Sequence, residues 1–138
     1  MHLTVYKLPL QSLEVHEANT LSDEPETAAI QRLQKKLTKE NLFMYILRLL
    51  QDKEHYGYEL REEIKKRFGF TMATVTSYVI LYRMEKEKLV IATKKSSPRG
   101  RPDRKYYEIT EKGSQVMIEA KSILHETLEI VFDKTPDL

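Results

Sequence analysis

The sequence predicts a mainly α fold with one small β-hairpin: a winged helix-turn-helix, preceded by an extension helix and followed by a C-terminal dimerisation helix. Three observations carry this. Helical periodicity recurs in three short segments between residues 39 and 88, and the second and third lie close enough together for a helix-turn-helix. Two β-prone runs, "LVIATKK" at 89–95 and "RKYYEIT" at 104–110, then flank a basic stretch broken by Pro98, Gly100 and Pro102. A last amphipathic segment runs from Thr110 to about Phe132.

The bulk properties agree. A chain of 138 residues with 32% charged residues and four glycines suits one helix-rich domain plus an extension. Expected boundaries are an arm and helix at 1–37, the winged domain at 38–109 and the dimerisation helix at 110–138. No cysteine is present, which excludes disulfides and thiol chemistry. The longest apolar run, within Asn41–Arg48, is too short to span a bilayer, and "MHLTVYKLPL" lacks the basic start and long apolar stretch of a signal peptide. A cytoplasmic protein with no membrane partner is expected.

Residues 1–20 show no trustworthy period and are expected to form an arm or to lack order. In "SDEPETAAIQRLQKKL", Ser22 or Asp23 as cap, Pro25 in the first turn and nearby acids predict a helix from about 24 to 36. Thr38 is the expected cap of a buried helix over about 39–52, with Leu42, Phe43, Ile46, Leu47, Leu49 and Leu50 at three- and four-residue spacing. "DKEHYG" breaks that period. A second helix is expected from Tyr58 to Phe68, with Leu60, Ile64 and Phe68 on one face and Gly69 as its stop. The third begins near Thr74 and runs toward Lys88. Strands are expected at 89–94 and 104–109, and Thr110 caps the last helix.

Charge is unevenly spread. Residues 83–107 hold nine cations against three acids, while residues 1–30 and those from 110 onward are both acidic on balance. A local basic field attracts polyanions even when the chain carries only +2 overall. The third helix offers Thr74, Thr76 and Ser77, short enough to reach base edges or phosphates in a major groove. Tyr78 and Arg83 lie further along and read as facing the core or the DNA backbone, and Tyr78 with Tyr82 reads as packing rather than base stacking. The wing offers Arg99 and Arg101 to a minor groove, with Gly100 letting its backbone come close and Lys94, Lys95, Arg104 and Lys105 near phosphates. The plainer reading of such a hairpin is a solvated edge kept from pairing with another sheet.

The last helix places Met117, Ala120, Leu124, Leu128 and Val131 on one stripe, with Val116, Ile123 and Ile130 beside it. A single helix cannot bury such a face alone, so a homodimer is expected. The alternative is that it folds back on its own N-terminal helix. Catalysis finds no support: His2, His16, His55 and His125 have no metal-chelating spacing, and no Gly-rich phosphate loop or nucleophile motif is present. No metal or cofactor is expected.

Three stretches resemble the PadR-type transcriptional regulators: "YGYEL" at 56–60, "TSYVILYRMEKEKLV" at 76–90 and, most specifically, "GRPDRKYYEITEKG" at 100–113. The resemblance implies a dimeric winged-helix transcription factor, usually a repressor, whose C-terminal helix forms much of the dimer interface. By position it carries DNA contacts to Thr76, Ser77 and Tyr78, and to Arg99, Gly100, Arg101 and Lys105. Two departures stand out: Val79 where many relatives have Pro, and Lys88 where they usually have Gly. Some relatives bind aromatic drugs, so a small-molecule effector is possible, although this chain has no Trp to stack on one. The leading expectation is a sequence-specific double-stranded DNA-binding regulator. The alternative is a winged-helix module of the transcription machinery that binds protein, with weak or no specific DNA contact.

Overall fold

In the computed structural model, residues 27–133 are described. The arm at 1–20, the expected caps Ser22 and Asp23, and Pro25 lie outside them. The first helix, α1, spans Ala28–Leu37. Its cap is Thr27, whose hydroxyl accepts from the Ile30 N–H at 3.4 Å. No residue of α1 is buried, and Ile30 and Leu33 face outward.

Thr38 does not open the second helix, as expected, but closes the first. Its N–H donates to Lys35 O and its hydroxyl to Gln34 O at 2.7 Å. Those bonds keep residues 38–41 in a turn, so α2 begins at Leu42 with Asn41 ahead of it and ends at Asp52. This helix is the centre of the core, burying Leu42, Ile46, Leu47, Leu49 and Leu50. Each such side chain contributes about 1.5–3 kcal/mol relative to exposure. Tyr45 adds edge contacts to Phe68 and Phe70, with ring centroids 5.2 and 4.9 Å away.

"DKEHYG" holds an element that the sequence did not reveal, the two-residue strand β1, His55–Tyr56. Two residues are too few for an alternating pattern to register. Next comes α3, Gly57–Glu63, continued by a wide π-type turn over Ile64–Phe68. Gly69 stops it at φ 79°, a left-handed conformation that glycine adopts without steric cost.

The third helix of the winged unit, α4, spans Thr74–Lys86 and buries Ser77, Leu81 and Met84. It ends in a Schellman closure: the Leu89 N–H reaches Met84 O at 2.9 Å and the Lys88 N–H reaches Glu85 O at 3.0 Å. Lys88 is therefore the left-handed residue, at φ 63°. The strands β2, Val90–Lys95, and β3, Arg104–Ile109, form the hairpin, paired antiparallel from Val90 with Ile109 to Lys95 with Arg104. Because β1 adds to the far side of β3, the sheet has three strands in the order β1-β3-β2.

The last helix, α5, covers Glu111–Val131, with Thr110 as its cap accepting from the Gly113 N–H at 3.0 Å. The Thr110 hydroxyl also lies 2.7 Å from Lys88 O, which ties the start of α5 to the end of α4. Gly113 is needed there, since a Cβ would lie 2.3 Å from Leu89 O. The early part of α5 packs on α2 through Val116 and Met117. From Lys121 onward every described residue is exposed, so α5 projects beyond the core.

Candidate nucleic-acid interface

The exposed side of α4 carries Thr74, Val75, Thr76, Tyr78, Val79, Tyr82 and Arg83. Ala73, at the helix cap, offers no side-chain acceptor, so N–H groups of the first turn are open to solvent or a ligand. Thr74 and Thr76 sit beside those groups.

Two expectations about this helix need correction. Ser77 is fully buried, its hydroxyl donating to Thr74 O at 2.6 Å and accepting from Arg61 Nη1 at 3.0 Å, and it is not placed to touch a nucleic acid. The cause is helical phase, because Ser77 lies on the inward row with Leu81 and Met84. Tyr78 and Tyr82 are not packed inside; each keeps 58% exposure. Arg83 is likewise exposed. The tyrosine rings carry cations instead, Arg61 over Tyr78 at 5.7 Å and Lys86 over Tyr82 at 5.4 Å.

The wing is built by a tight turn. The Arg101 N–H donates to Pro98 O at 3.1 Å with Gly100 at φ 78°, the third position of a type II turn, where a β-carbon is disfavoured. Arg99 and Arg101 are thereby displayed at the tip, and both are exposed. The Ser97 hydroxyl lies 2.9 Å from Arg101 O across the base of this turn.

Below the tip the strands oppose cation to cation: Lys94 pairs with Lys105, and Lys95 with Arg104. Like charges directly opposite destabilise a hairpin. Two carboxylates offset this, Glu85 on Lys105 at 3.0 Å and Glu54 on Lys95. Each acid raises its lysine's pKa above the ordinary value. Aromatic faces take further charge, with Arg104 over Tyr56 at 4.5 Å, Lys95 over Tyr106 at 5.0 Å and Lys105 over Tyr107 at 5.7 Å. Among the described residues, Lys94, Arg99 and Arg101 have no carboxylate partner.

Residues that sequence reasoning passed over join the two parts. Tyr56 stacks on Tyr58 at 6.4 Å and meets Tyr106 edge-on at 5.3 Å, while Arg61 lies over both Tyr58 and Tyr78. A strip of rings and cations thus runs from α4 across the start of α3 to the wing. Its signal in the sequence is the pair of tyrosines flanking Gly57 in "YGYEL".

Of the residues expected at a dimer interface, Met117 and Ala120 are half-buried, whereas Leu124, Leu128 and Val131 are exposed. The first four of these, with Met44 and Gln51 of α2, line an open groove of about 560 Å³. Among the described residues no group of three or more His, Asp or Glu could hold a metal, and no helix is long and apolar enough to cross a membrane.

Comparison with known proteins places this geometry. The sequence model of the "Transcriptional regulator PadR-like family" matches residues 46–119. An uncharacterized protein from Lysinibacillus sphaericus is 33% identical over 97 residues, which is 69% of this chain and 88% of that protein. The crystal structure of a PadR-like transcriptional regulator from Bacillus cereus is similar with a TM-score of 0.57 at 33% identity, covering 74% of this chain and 99% of that one. A PadR family transcriptional regulator from Eggerthella lenta aligns with a TM-score of 0.65 at 25% identity, over 75% of this chain and 88% of its own.

Proposed function

The chain belongs to the PadR-like family of transcriptional regulators, and from that premise we propose that it binds specific double-stranded DNA as a homodimer and represses transcription from the site it occupies. The observation that carries the reading is the pairing of two exposed features: the first turns of α4, with Thr74 and Thr76, and a wing tip bearing two uncompensated arginines. In this reading α4 enters the major groove, with Tyr78 and Arg83 toward the backbone. Arg99 and Arg101 reach the minor groove, and Lys94 meets phosphate. Lys95, Arg104 and Lys105 hold the wing's shape and add to the field.

The homodimer rests on apolar surface. Beyond the packed start of α5, Ile123, Leu128, Ile130 and Val131 are each more than half exposed, and on α1 Ile30 and Leu33 are nearly so. That Ala28–Leu37 buries no residue supports this reading over a fold-back of α1 onto the α5 stripe. A second copy would cover these faces and set two α4 helices for half-sites about 34–36 Å apart.

The test is fluorescence anisotropy with a duplex from the gene's own upstream region against a scrambled duplex, each titrated at several salt concentrations. The native duplex is expected to bind at least ~10³-fold tighter. Arg99→Ala with Arg101→Ala is expected to lower the log–log salt slope by about 0.9 per lost phosphate contact. Equal binding of the two duplexes, with a shallow slope, would refute the reading and favour a protein partner for the same surface.

A further inference from the structure

Ser77 was expected to read DNA, but it is turned inward and tied to Arg61. That displacement leads to a role for a residue outside both the reading helix and the wing. Resting on the DNA-binding reading above, we propose that Arg61 is a positioning residue that fixes the rotation of α4 about its own axis, and so sets how well the protein tells one duplex from another.

Leu60 of α3 and Ile64 just after it share the core with Leu81 of α4; such contacts choose which face of α4 turns inward, but they are non-directional and set its rotation less finely than a hydrogen bond does. The guanidinium supplies direction. Its Nη1 donates to Ser77 Oγ at 3.0 Å, and that hydroxyl donates to Thr74 O at 2.6 Å, so the cation is linked through one buried oxygen to the first turn of α4. The Tyr58 and Tyr78 rings lie 5.8 and 5.7 Å from the guanidinium carbon, one from each helix. Gly57 lies beside the seat without being required by it, since a Cβ there would make only ordinary contacts, 3.6 Å from Nη1 and 3.9 Å from the Tyr78 ring. A planar fork held by a buried acceptor and two rings resists rotation in a way that a flexible ammonium does not. Thr74, Thr76 and Tyr78 project from the turns that this seat orients, and recognition groups must be held to within about 0.5 Å.

The experiment uses the full chain and the two duplexes named above. It compares wild type, Arg61→Met, Arg61→Lys, Ser77→Ala and the Arg61→Met/Ser77→Ala double variant. Affinities are referred to the folded fraction, measured by urea unfolding at the same protein concentration. The expected result is a loss of about tenfold in the native-to-scrambled ratio for Arg61→Met and for Ser77→Ala, as for a charge-assisted hydrogen bond. The double variant is expected to lose no more than either single one. Arg61→Lys is expected not to restore the ratio, and the salt slope on scrambled duplex is expected to stay as in wild type.

A slope reduced by about 0.9 in Arg61→Met would make Arg61 a phosphate contact and overturn the positioning role. Equal weakening on both duplexes would reduce it to general packing, which also overturns it. A wild type that discriminates, with a ratio unchanged in Arg61→Met, overturns the positioning role alone. A wild type that binds both duplexes alike overturns the DNA reading, and the positioning role with it.

Discussion

Replacing Lys88 with glycine is expected to stabilise the protein, although the side chain removed is exposed and forms no ion pair among the described residues. The reason is in the backbone. Lys88 sits at φ 63°, and the Schellman closure formed by the Lys88 and Leu89 N–H groups requires that conformation. Leu89 at 5% exposure and Met84 at 3% make the closure part of the core, so the turn cannot relax toward an ordinary φ without pulling Leu89 out. A left-handed residue with a β-carbon costs about 1–2 kcal/mol, and glycine removes that cost. Glycine also adds about 0.5–1 kcal/mol of conformational freedom to the unfolded chain. The expected net gain is thus about 0.5–1 kcal/mol, or roughly 2–6 °C in Tm for a domain of this size. Urea unfolding at fixed protein concentration, compared at constant m, measures it. Lys88→Ala is the control, since it removes the charge and keeps the β-carbon. If alanine stabilises as much as glycine, the gain comes from relieving positive charge, and if glycine destabilises, Lys88 is not left-handed in solution; either result refutes the reasoning.

Gly113→Ala is expected to cost about 2–3 kcal/mol, because the new methyl would lie 2.3 Å from Leu89 O and 2.9 Å from Ile109 Cγ1. Gly57→Ala meets nothing closer than 3.6 Å and is expected to stay within ~0.5 kcal/mol of wild type in the same unfolding assay. Thr110→Ala removes the α5 cap and its bond to Lys88 O, an expected loss of about 1–2 kcal/mol that urea titration would read. His55 gives a pH dependence. Its Nδ1 is buried without a hydrogen bond, and burial lowers its pKa below 6.5 despite the pull of Glu59, Glu63 and Asp52, with Lys53 adding to the depression. The unfolded chain therefore binds the proton more readily, so this group's contribution is complete above pH 6.5 and is lost as pH falls through the folded value. Stability of wild type is expected to drop faster than that of His55→Gln between pH 7.5 and 5.5; parallel curves would remove His55 as the cause.

Most of the architecture was legible because it rests on local chemistry. Gly69 and Thr110 end and begin helices by rules that need only their neighbours, and Pro98, Gly100 and Pro102 announce a constrained turn. What failed was phase and pairing. Periodicity marks which residues of α4 share a face, but Ser77 with Leu81 and Met84 and Tyr78 with Tyr82 are rows one residue apart. Tyrosine is apolar enough to be assigned inward and polar enough to live outside. The serine on the buried row is satisfied twice, by Thr74 O in its own helix and by Arg61, sixteen positions earlier, and no local pattern shows so distant a partner. Strand β1 was hidden for the same reason, since its identity lies wholly in its partner β3. Thr38 had the right chemistry for a cap, and the ambiguity lay in which of two adjacent helices it served.

The structure also bears on the plainer reading of the wing as a solvated, edge-protecting hairpin. Edge protection accounts for cations along β2, the outer strand of the sheet. It does not account for their partners, because a hairpin selected only for solubility gains by placing opposite charges across the strands, whereas this one sets Lys94 against Lys105 and Lys95 against Arg104. Nor does it account for where compensation stops. Glu54, Glu85 and three tyrosine rings hold Lys95, Arg104 and Lys105 along the strands and leave Lys94 unbraced, while Arg99 and Arg101 stand past the last paired residues, where there is no edge to protect. Charge mostly braced along the strands and left unanswered at the tip is what the proposed DNA reading requires: the braced cations would keep the wing in shape before binding, and the arginines would meet a polyanion without first breaking an ion pair.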